Sequence, residues 1–236
     1  MRALEMGFGI WTRIAHKYWE VSGRLKWFGV GYHGWQSKRV RAMLDHYGHQ
    51  FFAGKKVVEL GAGYGDIGGF FAMLGADVTC LEGREINVAE IRRRYPAVKA
   101  RQFDLNEPLP VDLVPTDFII HFGVLYHLRD PEASLRNTCR GCKEMVLETE
   151  CADSDDPNFT KPTSEHSYHK DHALDGVGCN PSAAFIERIL REEGMAFEMI
   201  KDARCNAGDH HYDWPVRNTG AGPKGQRRLW FVKRKV

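Results

Sequence analysis

No apolar stretch in this chain approaches the roughly 18 residues that a membrane-spanning helix needs, so no span is expected. Neither sign of charge is in excess: 33 Lys and Arg against 31 Asp and Glu leave a formal net charge of +2. That balance gives no electrostatic support to an RNA partner and does not exclude one. Met1–Arg2–Ala3–Leu4 does not open a signal peptide, because no apolar core follows. Cysteine is sparse, with six residues in 236. Only Cys139 and Cys142 share a Cys-x-x-Cys spacing, and no second pair completes a zinc set. Cys80 lies in an apolar run and reads as a small core residue. These absences predict a cytoplasmic protein without a metal. At 43% hydrophobic, 236 residues bury one sizeable core, so one decorated domain is expected.

What is present concentrates near residue 60. An apolar strand, Val57–Val58–Glu59–Leu60, runs into glycines at 61, 63 and 65 and then into a helix-patterned run from Ile67. A strand turning tightly into a helix needs residues that tolerate positive φ and carry no Cβ to obstruct a ligand. The helix start then turns its unpaired N–H groups toward whatever is bound. A second strand, Asp77–Leu81, delivers Glu82 nineteen residues past Gly63, where a carboxylate can accept from two ribose hydroxyls. A dinucleotide fingerprint would need its third glycine at 66. Asp66 stands there, which predicts poorer helix–strand packing and repulsion of a pyrophosphate. A ligand with a ribose and no phosphate fits better.

Residues 1–50 read as an aromatic, helical lid segment, and 51–236 as a nucleotide-binding core with insertions at about 151–180 and 203–226. Trp11, Trp19, Trp27 and Trp35 recur every eight residues, which is no helical face and is taken as chance. Ser37 to Tyr47 is predicted helical, with Val40, Met43, Leu44 and Tyr47 on one stripe. Strands are then expected at 56–60, 77–81, 98–103, 117–122, 144–149, 195–200 and 228–232. Helices are expected at 67–74, 85–94, 131–138 and 181–193, the last with Pro181 in its first turn and Gly194 as its stop. This βα alternation predicts an α/β fold with a mostly parallel sheet and helices on both faces.

Glu59–Leu60–Gly61–Ala62–Gly63–Tyr64–Gly65 resembles the first motif of class I S-adenosylmethionine (SAM)-dependent methyltransferases. The resemblance implies the Rossmann-like class I fold, a seven-stranded sheet with a reversed last strand, and SAM as cofactor. His121–Phe122–Gly123–Val124–Leu125–Tyr126–His127, with Val146–Leu147–Glu148–Thr149–Glu150 and Asn180–Pro181–Ser182, is similar to tRNA wobble-uridine carboxymethyltransferases over about residues 50–200. The N-terminal 50 residues show no such match, so the carboxymethyl chemistry is not carried over.

On this resemblance Glu59, Gly61, Ala62, Gly63 and Gly65 border the cofactor, Glu82 and Gly83 meet its ribose, and Asp104 and Leu105 meet its adenine. Asp104 also reads as a simple turn cap. His121 and Phe122 are expected beside the methionine part. Arg39, with Lys38 and Arg41 as alternatives, is expected to meet its carboxylate, and Tyr32 and Trp35 to lie near the sulfonium. His121, His127 and His210 (or His211) are the candidate bases. His166, His169 and His172 invite a metal reading, but a loop with Pro162 and a third histidine off the helical face argues against it. The loop itself is a candidate substrate cover.

The expected function is SAM-dependent methylation, at oxygen or nitrogen, of a small molecule or modified nucleoside, by a monomer or homodimer. A non-catalytic SAM-fold subunit and an NAD-dependent oxidoreductase are the rivals. No Asn-Pro-Pro-Tyr-type tetrapeptide follows the fourth strand, nor a paired-aspartate pattern for magnesium, so the acceptor stays unnamed.

Overall fold

The computed structural model describes residues 30–167, 169–208, 210–220 and 226–235. Trp11, Trp19 and Trp27 lie outside the described residues. Helix α1 (Val30–Tyr47) and a 3-10 turn (His49–Phe52) lead into β1 (Lys56–Leu60). Then come α2 (Asp66–Met73), β2 (Asp77–Glu82), α3 (Glu85–Arg94), β3 (Lys99–Gln102), β4 (Thr116–Phe122), α4 (Pro131–Gly141) and β5 (Cys142–Glu150). A hairpin, β6 (Thr160–Ser164) and β7 (Val177–Pro181), precedes α5 (Ala183–Glu192) and β8 (Met195–Met199). Strands β9 (His211–Tyr212) and β10 (Gln226–Arg234) close the series.

The main sheet runs β3-β2-β1-β4-β5-β10-β8, with β9 paired to β10. β1 to β5 are parallel, whereas β10 runs antiparallel to both β5 and β8. The expected reversed last strand is there, and β9 and the hairpin are additions. The winding reverses between β1 and β4, which share an edge from Val57↔Phe118 to Leu60↔His121. Ligands of such sheets bind at that switch, beyond the carboxyl ends of the strands.

Strand alternation sorts the core into two layers. Val58, Leu60, Ile119, Met145, Leu147 and Trp230 pack against Leu135, Cys139, Phe185, Ile186 and Ile189 of α4 and α5. Val57, Phe118, Ile120, Phe122, Val146 and Phe231 pack against Met43, Ile67, Phe71 and Ile91 of α1, α2 and α3. The last long helix begins two residues later than predicted. Ser182 is its N-cap, its hydroxyl accepting from Phe185 N–H at 2.9 Å, while Pro181 ends β7. Pro162 is accommodated because, among the described residues, β6 pairs only with β7.

Candidate functional site

The β1–α2 turn needs glycine for its backbone: Gly61, Gly63 and Gly65 have φ of 64°, 57° and 75°. Of the turn, Gly61 and Ala62 line the cleft beyond the strand ends, while Gly63 and Gly65 shape the turn behind them. Gly63 N–H instead donates to Glu82 Oε2 at 2.9 Å. A Cβ on Gly65 would lie 2.9 Å from Ile91. The close helix–strand approach expected to suffer from Asp66 is made at Gly68, where a Cβ would sit 2.6 Å from Glu59 Oε2. Asp66 is not a cleft residue. Its carboxylate accepts from Tyr95 Oη at 2.6 Å and Arg94 Nη1 at 3.3 Å. Burial raises its pKa, but bonds from His33 and Tyr95 and the charge of Arg94 leave it lower than usual.

Two buried carboxylates flank the turn. Glu59 Oε2 accepts from Gly68 N–H at 2.9 Å, and burial pushes this carboxyl up to about 7. Glu82 accepts from Gly63 N–H through Oε2, and from Arg84 N–H and Asn87 Nδ2 through Oε1 at 3.1 and 3.2 Å. Burial raises its pKa, and these donors partly offset the rise. A carboxylate has about four acceptor sites, so Glu82 keeps capacity for a ligand hydroxyl. Asp104 lines the cleft and also caps its turn, Oδ1 accepting from Asn106 N–H at 3.0 Å and Asn106 Nδ2 at 2.9 Å. Gly83, Leu105 and Phe122 line the same cleft, which spans about 870 Å³ with its open mouth.

His121 is corrected. Adjacent strand residues point to opposite faces, so with Phe122 toward the cleft the His121 ring enters the core, fully buried. Neither ring nitrogen has a hydrogen-bond partner among the described residues, and burial pushes the imidazole down to about 4. His121 is a neutral packing residue.

From α1, Tyr32, Trp35 and Arg39 line the cleft. Lys38 turns away to the carbonyl of Asn206, and Arg41 to Asp45 and Asp202, both at 3.8 Å. Arg39 Nη1 pairs with buried Glu148 at 3.0 Å, and Glu148 also takes Arg227 Nη1 at 3.1 Å. One carboxylate thus serves two guanidiniums, although Glu150 also approaches Arg227 at 3.8 Å. Trp35 is sandwiched between Arg39, 3.4 Å from its ring centre, and His210, stacked at 3.8 Å. Both faces are therefore taken, which removes Trp35 as a sulfonium platform. His210 lies behind that ring, outside the cleft lining. Burial and the charges of Arg227 and Arg39 push it down to about 3, and its ring braces α1 through Trp35.

His127 does line the cleft, in the 3-10 turn Leu125–His127. Its Nδ1 meets Glu165 Oε2 at 2.7 Å and Oε1 at 2.9 Å. Glu165 also accepts from Ala173 N–H at 2.7 Å. Burial raises the Glu165 pKa, but the bond and charge of His127 outweigh it and leave the carboxyl lower than usual. Glu165 escaped the sequence reading because it stands 38 residues from its partner in a polar loop with no local pattern. That loop covers the cleft: Lys170, Asp171, His172, Ala173 and Leu174 line it. Arg84 Nη2 fixes it through the carbonyls of His172 and Ala173 at 3.1 and 3.2 Å, and Asn87 Nδ2 through that of Lys170 at 3.3 Å. Cys139 and Cys142 are buried in the core with pKa raised by burial, Cys139 to about 12.

Comparison with known proteins matches this architecture. A methyltransferase domain family model covers residues 32–199. A probable S-adenosylmethionine-dependent methyltransferase of Mycobacterium tuberculosis is 33% identical over 86 residues, 36% of this chain and 31% of that protein. The tRNA U34 carboxymethyltransferase of Dichelobacter nodosus is 28% identical over 159 residues, 64% of this chain and 49% of the relative. The chain thus spans about a third to a half of the curated relatives it matches. Among solved structures, the SAH-bound N-terminal domain of EvdMO1 superposes with TM-score 0.64 at 20% identity, over 85% of this chain and 81% of that one. The chain belongs to the methyltransferase domain family.

Proposed function

We propose that this chain is a SAM-dependent methyltransferase acting on a protonated oxygen or nitrogen of a small molecule or modified nucleoside. The observation that carries the reading is one continuous cleft. The ribose-type acceptor Glu82, the open turn Gly61–Ala62 and the Asp104–Leu105 edge line it together with His127, which Glu165 holds from behind.

The residues fit the cofactor. Glu82 is fixed by three donors and retains about one acceptor site for a ligand hydroxyl, Leu105 and Phe103 give an apolar wall, and Arg39 offers a cation at the α1 end. When bound, SAM supplies a methyl group on a positively charged sulfur that leaves readily. The protein's task is therefore placement of the acceptor, exclusion of water and removal of the acceptor proton. Loop 170–174 closes over the cleft and serves the second task. His127 serves the third. With Nδ1 held by Glu165, Nε2 is the nitrogen left to take a proton, and the carboxylate stabilises the imidazolium that forms.

Incubating the protein with SAM and fractionated cell extract, and following SAH, tests the reading. Extract-dependent SAH formation that His127→Asn lowers by about 10²–10⁴-fold is expected. SAH formation unchanged in that variant would remove His127 as the base, and none with any fraction would favour a binding subunit.

A further inference from the structure

The covering loop carries a feature that cofactor binding and proton transfer do not use. His169, Asp171 and His172 each offer a ligand atom, and the three atoms lie within 4.8 Å of one another. Asp171 Oδ1 is buried without a hydrogen-bond partner among the described residues. A shielded carboxylate oxygen with no donor is costly, and beside two imidazoles the group that satisfies it best is a cation. We infer that His169, Asp171 and His172 bind a first-row divalent transition metal of the zinc class on the loop that covers the cleft.

The donor set fits that class, since imidazole and carboxylate suit Zn²⁺ and its neighbours, and magnesium prefers oxygen alone. Three protein ligands leave a further coordination position for water or an acceptor oxygen. Asp171 and His172 line the cleft, and the His172 ring lies 6.4 Å from that of His127. The ion therefore sits over the cleft and near the proposed base. The set differs from the triad that the His-x-x-His-x-x-His spacing suggests, because Asp171 takes the place of His166, which is exposed. The site costs one weak bond. His172 Nδ1 accepts the His166 N–H at 3.2 Å, and ligation through either ring nitrogen releases that donor to water. The backbone is already held from the other side by Arg84 and Asn87 and by the bond from Ala173 N–H to Glu165.

The test uses metal-stripped full-length protein, with Zn²⁺ titrated by calorimetry and Co²⁺ followed by absorbance. One equivalent should bind, and Asp171→Asn and His169→Ala should each weaken it by at least about tenfold, while His166→Ala leaves it unchanged. Asp171→Asn is nearly isosteric, and equal melting temperatures in EDTA establish that its fold is intact. Bound Co²⁺ should give ligand-field bands without the intense thiolate charge-transfer band that the cysteines would produce. Absence of binding at about 100 μM metal, undiminished binding in both variants, or a thiolate spectrum overturns the assignment. Metal binding is read without SAM or acceptor, so its outcome is independent of the methyltransferase reading.

Discussion

Glu59 and His121 set up a stability experiment whose sign is fixed by the structure. Burial moves the Glu59 carboxyl from 4.5 up to about 7, and the His121 imidazole from 6.5 down to about 4. Folded Glu59 keeps a proton that the unfolded chain has released. Its contribution is full below pH 4.5 and is lost as pH rises through 7. Folded His121 refuses a proton that the unfolded chain accepts. Its contribution is full above pH 6.5 and is lost as pH falls through 4. Each displacement covers about 2.5 pH units, or about 3 kcal/mol. Between pH 4.5 and 6.5 the two slopes oppose each other and nearly cancel. Removing one partner exposes the other. His121→Leu should gain about 2 kcal/mol relative to wild type on going from pH 6.5 to 4.5, since both ends of the interval are already partly titrated. Glu59→Gln should lose a similar amount over the same interval. Urea unfolding without cofactor at pH 6.5, 5.5 and 4.5 reads both, and only pH slopes are compared, so the cost of each substitution drops out. Parallel profiles for wild type and His121→Leu would refute the reasoning, because His121 would then be titrating as it does in water.

Glu82→Ala should weaken SAH binding by about 1–3 kcal/mol, the scale for losing a charged acceptor, as read by calorimetry. Gly68→Ala should destabilise the fold by about 1–3 kcal/mol in urea, because its Cβ would lie 2.6 Å from Glu59 Oε2 and 2.7 Å from Cys80 Sγ; unchanged stability would mean that the α2–β1 contact relaxes freely. Glu165→Gln should lower kcat while leaving KM and SAH affinity nearly unchanged, since it leaves His127 in the cleft and removes the charge behind it. An effect confined to KM would give Glu165 a role in holding the covering loop instead.

The parts of the fold that the sequence revealed are those written in local chemistry. Apolar strands against glycine turns located β1, β2, β4 and β5 to within two residues, and Glu82 followed from its distance to Gly63. The hairpin β6–β7 left no such trace, because Thr160–Ser164 is polar throughout and carries a proline. His121 and Phe122 both stand at the strand end in the sequence, but the two-residue period of a strand admits only one of them to the cleft, and that signal is legible without the structure. Trp35 and His210 needed tertiary knowledge, since the loop returning from β8 stacks on α1 and no spacing announces it. The His127–Glu165 pair and the His169–Asp171–His172 cluster likewise arise from a loop folded back over the sheet edge.

Calorimetric titration of the wild-type chain with SAH, beside NADH under the same conditions, goes straight to the phosphate-free nucleoside cleft. One SAH per chain with micromolar affinity, lost when Gly61 is replaced by Val against the Val124 side chain 2.8 Å from its Cβ, is the predicted result. Tight NADH binding with no heat from SAH would contradict it.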